Sequence, residues 1–145
     1  MLFRSSHAYG VAVTDDLRQA VLQATGENLN WFWDEWMYQA GYPEFTVTAA
    51  WDSAASSVAL SVKQTQVDTA KADSVTGRRI TTPLAFRMPV TIRVGTAAGD
   101  VVYRSEVNAR EQTITIPGVT STPSMVVFDD GDRSEERRVG KECRL

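Results

Sequence analysis

Residues 28–47, NLNWFWDEWMYQAGYPEFTV, change period within a single stretch. Leu29, Phe32, Trp33, Trp36, Met37 and Ala40 recur at helical spacing; Gly41 and Pro43 interrupt it; Phe45, Val47 and Ala49 then alternate with Thr46 and Thr48. An apolar stripe of period 3.6 marks an amphipathic helix, and strict alternation marks a half-buried strand. Pro43 has no N–H to donate and biases Tyr42 toward extended backbone. The stretch therefore reads as a helix beginning near Asn28, closed by Gly41 and Pro43, that hands over to the first strand of a β region.

Upstream, Val13-Thr14-Asp15-Asp16 has the form of a helix start, with Thr14 at the N-cap and two aspartates at the positive end of the dipole. Leu17, Ala20, Val21 and Ala24 follow at i, i+3, i+4 and i+7, and Gly26 stands where a left-handed stop belongs. Two helices with one short connection make a helical hairpin. Downstream, Val58, Leu60 and Val62 alternate with Ser57, Ala59, Ser61 and Lys63, and residues 68–82 read as a polar loop. Val90, Ile92 and Val94 lead through Ala97-Ala98-Gly99-Asp100 to Val101 and Tyr103 as a hairpin, and EQTITIPGV and SMVVFDD supply two further strands. The expected fold class is α+β, an N-terminal helical hairpin followed by an antiparallel Ig-like β-sandwich.

With 145 residues, 43% of them hydrophobic, the chain has material for one domain, or a small domain with part of a neighbour. No apolar run approaches the roughly 18–20 residues needed to span a bilayer, and MLFRSSHAYG lacks the apolar stretch of a secretory signal. A net charge of -3 with interspersed signs offers no basic footprint for nucleic acid. Cys143, the single cysteine, excludes an internal disulfide framework. The last segment, RSEERRVGKECRL, holds five basic and three acidic residues and leaves ten basic against fifteen acidic in the body of the chain. That break in composition, and its likeness to a vector-derived read-through tail, set residues 133–145 apart as a non-native tail.

Catalytic constellations are sparse. A hydrolytic zinc site needs about three protein ligands, and His7 is the one histidine, with no partner at metal-ligand spacing. No Gly-x-Ser-x-Gly elbow presents a serine nucleophile. Asp15 with Asp16, Asp34 with Glu35, and Asp129 with Asp130 read as a helix start, a polar helix face and a turn, rather than as acid–base pairs. The glycines are isolated and serve as caps and turns. Aromatic side chains remain. An exposed row of Trp31, Trp33 and Trp36 with Tyr38 and Tyr42 could stack on sugars or grip an apolar peptide, as a free-standing binding module would. Packing is the stronger reading, because Phe32, Trp33, Trp36 and Met37 share one face and a hairpin this short cannot bury both of its faces by itself.

Taken together, AYGVAVTDDLRQAVLQATGENLNWFWDEWMYQAGYPEFTVTAAWD resembles the junction of M1-family zinc aminopeptidases, the gluzincins. In that family a Thr-Thr-x-Asp-Leu type segment opens a helix late in the catalytic domain, a Trp- or Phe-rich helix follows, and a Gly-x-Pro turn leads into a β-sandwich. Here the corresponding residues are Val13-Thr14-Asp15-Asp16-Leu17, the aromatic stripe, and Gly41-Tyr42-Pro43 before Phe45-Thr46-Val47. The likeness extends to Gln64 and Gln66 as a Gln-x-Gln strand, to FRMPVTIRV and to PSMVVFDDGD.

The resemblance implies residues 1–43 as the last helices of a catalytic peptidase domain and residues 44–132 as the β-sandwich domain. It also implies Phe32, Trp33, Trp36, Met37 and Tyr42 as packing residues against a catalytic body that this chain lacks. Zinc and a peptide substrate, cleaved from its N-terminus, are implied for the parent protein. The family's His-Glu-x-x-His helix, Gly-x-Met-Glu-Asn type loop and catalytic tyrosine have no counterpart here, and Tyr9 falls at a structural aromatic position. No catalytic or zinc role passes to any residue, and the chain alone is expected to be inactive.

Overall fold

The structure, a computed structural model, describes residues 8–68, 72, 77, 79–131 and 142–143. Two compact units divide the chain, Met1–Gln39 and Ala40–Leu145.

The first unit is helical. Helix α1 spans Thr14–Thr25 and ends where Gly26, at φ 73°, donates its N–H to the Leu22 carbonyl at 2.8 Å. The expected cap at Thr14 is not the one formed. Thr14 is already helical, and the cap position falls on Val13, whose N–H donates to the Asp16 carboxylate at 2.9 Å. Asp16, three residues on, reaches back to that amide, which starts the helix one residue earlier than a threonine cap would. A second helix, α2, covers only Asn30–Phe32 and continues as a π-helical turn, Trp33–Met37. It is shorter than its stripe predicts. The Tyr38 N–H bonds the Trp33 carbonyl five residues back, at 3.1 Å, so the 3.6-residue phase is lost and the helix stops before Ala40.

Among its described residues, the second unit is built of β-strands. Its strands are β1 Phe45–Asp52, β2 Ser57–Gln64, β3 Met88–Thr96, β4 Gly99–Val107, β5 Glu111–Pro117, β6 Pro123–Phe128 and the two-residue β7 Glu142–Cys143. They form an antiparallel three-stranded sheet, β1-β2-β5, and a four-stranded sheet, β4-β3-β6-β7, in a sandwich-like arrangement. β7 comes from the stretch set apart on composition; the rest of that stretch, and His7, lie outside the described residues. Most of the expected 68–82 loop is also outside them, with an Ala72–Arg79 bridge among the described positions.

Alternation sets the core. Val58, Leu60 and Val62 of β2, Val90, Ile92 and Val94 of β3, and Ile114 and Ile116 of β5 are buried, while the intervening residues of each strand are more exposed. Phe45 and Phe128 meet across the two sheets at 5.3 Å between ring centres. Trp51 closes one end by donating its indole N–H to the Val119 carbonyl at 3.2 Å.

On the exposed face of the first sheet, Lys63 and Glu111 stand opposite each other across β2 and β5 at 2.6 Å. Hydrogen bonding to Lys63, and then its charge, hold the Glu111 carboxyl below its ordinary value. A carboxyl depressed only in the folded state favours folding above its ordinary titration range, about pH 4.3, and that contribution disappears as pH falls through the depressed value. Urea midpoints of Glu111→Gln should therefore lie slightly below those of the parent at pH 7 and converge with them once the pH has fallen below the depressed value. The gap is small because both side chains are solvated.

Candidate functional site

The aromatic residues of the helical unit are held together by one ring. Phe32 sits edge-on to Trp31 and Trp33 at 6.0 and 5.6 Å and stacks on Trp36 at 6.5 Å and 20°. Both geometries are favourable for quadrupolar rings. Burial is uneven. Trp33 is 5% exposed, whereas Met37, on the stripe read from sequence, is 52% exposed. Leu17 and Leu22 of α1 and Tyr38 also face solvent, and α1 has no buried residue. Between α1 and α2 lies a shallow pocket of about 200 Å³ with Leu22, Leu29 and Trp33 in its wall. Arg18 at its margin is committed, paired with Asp15 at 2.6 Å and donating to the Asn30 carboxamide oxygen at 3.0 Å. Tyr42, the fifth packing candidate, belongs to the β unit and is 42% exposed.

The β unit carries a polar knot that sequence reasoning noted only as a resemblance. Gln64 and Gln66 continue the inward phase of Val58, Leu60 and Val62, so two carboxamides fall where apolar side chains would. That continuation of a buried stripe by a polar residue is the signal that could have found them. Gln64 is fully enclosed; its Nε2 donates to the Phe86 and Ala109 carbonyls at 2.8 and 3.3 Å, and its Oε1 accepts from the Phe86 N–H at 2.8 Å and Gln66 Nε2 at 3.1 Å. Every donor and acceptor of the group is used. Gln66 Nε2 also reaches the Pro83 and Leu84 carbonyls at 3.3 and 3.2 Å, and Arg110 donates to the Gln66 and Leu84 carbonyls at 3.1 and 3.0 Å. The knot joins the end of β2, the segment before β3 and the β4–β5 turn.

Beside it, the Thr82 hydroxyl is buried without a hydrogen-bond partner among the described residues. An orphaned hydroxyl costs about 1–3 kcal/mol, and valine matches threonine in shape. Thr82→Val should raise unfolding stability by about 1 kcal/mol in urea titration, rather than lower it as a core substitution commonly does.

Three of the paired carboxylates have structural duties. Asp15 takes Arg18 and Gln19, Asp16 accepts the Val13 N–H, and Asp130 takes the Arg93 guanidinium at 2.8 Å. That hydrogen bond and the Asp130 charge raise the Arg93 pKa further. Asp129 adopts φ 58° in the turn after β6, a conformation aspartate tolerates. Among the described residues, no group of three or more His, Cys, Asp or Glu side chains could hold a metal ion, so these residues do not fit a hydrolytic zinc. Among them also, no helix is long and apolar enough to cross a membrane. Among the described residues the arrangement offers packing surface and backbone ties.

No protein-family profile matches the chain. A puromycin-sensitive aminopeptidase of Caenorhabditis elegans is 28% identical over 118 residues, covering 81% of this chain and 12% of that protein. The chain thus spans about an eighth of its relative's length. Aminopeptidase A of Legionella pneumophila, crystallised with aspartic acid, superimposes with a TM-score of 0.60 over 87% of this chain and 13% of the other, at 16% identity, a likeness of fold.

Proposed function

We propose that this chain is a segment of an M1-family zinc aminopeptidase, comprising the last helices of the catalytic domain and the Ig-like β-sandwich that follows. The observation that carries the reading is the relationship to an aminopeptidase over 118 residues, a span long enough to draw on both units while occupying 12% of that protein. The helical unit adds support. Its apolar residues Leu17, Leu22, Phe32, Met37 and Tyr38 are exposed, as befits the end of a larger helical body.

In this reading Phe32, Trp33, Trp36, Met37 and Tyr42 serve interdomain packing, residues 133–145 are foreign to the protein, and peptide N-termini are cleaved by groups outside this chain. Zinc, bound there, would activate the attacking water. The chain's own contribution is structural. It should hydrolyse an amino-acid anilide no faster than buffer when supplied with zinc, and should bind an environment-sensitive apolar dye through the helical unit. Stoichiometric zinc binding with turnover would overturn the reading, and a dye-silent monomer would count against the packing role.

A further inference from the structure

Gly41-Tyr42-Pro43, a glycine and a proline just past the boundary between two compact units, has the composition of a hinge. Its bonding contradicts that. The Ala40 N–H donates to the Thr81 carbonyl at 3.1 Å, and the Thr65 N–H donates to the Glu44 carbonyl at 2.8 Å. The Glu44 N–H in turn points at Gln66 Oε1 at 3.4 Å, a long bond to a side chain that is itself fixed. Gly41 presses on Thr82 so closely that a Cβ at this position would stand 2.8 Å from the threonine methyl. Both ends of the segment and Gly41 are thereby held against residues 81–82 and the end of β2.

We propose that residues 40–44 are a rigid socket of the sandwich unit, latched by Gln66. Gln66 suits a latch because one carboxamide engages two sides. Its oxygen faces the entry segment at Glu44, and its nitrogen faces Gln64, Pro83 and Leu84, so the entry segment is tied to the same knot that fixes the crossover before β3. Sequence alone reads the glycine and proline as the close of a helix. In the fold Gly41 instead permits close approach to Thr82, and Pro43 needs no amide partner. The latch would operate in the sandwich unit whatever the larger protein does.

Amide hydrogen exchange on the full chain, resolved by residue, tests this. The Ala40, Glu44 and Thr65 amides should be protected at least about tenfold against their unstructured rates, a hydrogen bond's worth. In Gln66→Ala, Glu44 and Thr65 should exchange about tenfold faster while Val58, Leu60 and Val62 keep their protection. Unprotected Ala40 and Glu44 in the parent chain would overturn the socket. Equal acceleration of the β2 amides in the variant would overturn the latch. Should the variant fail to fold, the parent chain's pattern at Ala40 and Glu44 still decides the socket.

Discussion

Gln64→Ala is expected to lower the unfolding stability of the β unit by about 3–5 kcal/mol, the largest effect of any single change considered. The side chain is fully enclosed and makes four hydrogen bonds, two of them to the backbone of Phe86. Truncation leaves the Phe86 N–H and carbonyl without the partners Gln64 supplies, at about 1–3 kcal/mol for each group left unsatisfied, and opens a cavity beside Phe86. Glutamate separates hydrogen bonding from shape. A carboxylate at this position could accept from Phe86 N–H and Gln66 but would confront the Phe86 and Ala109 carbonyls with lone pairs. Burial would raise its pKa, so Gln64→Glu should gain stability as pH falls through that raised value and the carboxyl becomes a donor. Equilibrium urea unfolding at pH 7 and pH 5 measures both. A loss under about 1 kcal/mol for Gln64→Ala would mean that the knot is not cooperative with the core.

Gly41→Ala should cost about 2–4 kcal/mol, from two sources that a second substitution separates. A φ of +86° strains any residue with a Cβ, and the added methyl meets the Thr82 side chain at 2.8 and 3.0 Å. Removing the threonine's γ atoms in Gly41→Ala/Thr82→Ala relieves the collision and leaves the strain, so about half the loss should return. Gly26 is the control. Its φ is +73° with open space where a Cβ would go, and Gly26→Ala should therefore show the strain alone, about 1 kcal/mol.

The strands were legible because their inward positions follow a strict two-residue period. Val58, Leu60 and Val62 were read as one face, and they are buried as one face. The β3–β4 hairpin was legible for a similar reason, its turn falling at Ala97-Ala98 between Thr96 and Gly99. Helix details were less so. Thr14 and Asp16 are both competent caps at the same helix end, and which one forms depends on a backbone angle at Val13 that residue types do not dictate. The π-turn depends on a bond five residues long among crowded aromatics, so the early end of the helix is not written in its apolar spacing. Gln64 and Gln66 escaped because glutamine is ordinarily a surface residue; their phase, rather than their type, marks them as interior.

Sequencing the source locus through both ends of this reading frame, several hundred bases beyond each, tests the central claim most directly. The account predicts an in-frame His-Glu-x-x-His with a following glutamate upstream of Met1, and aminopeptidase-like sequence continuing past Asp132 in place of RSEERRVGKECRL. A genuine start at Met1 with no such motif ahead of it would contradict the claim, and would leave a helical hairpin and sandwich that exist on their own.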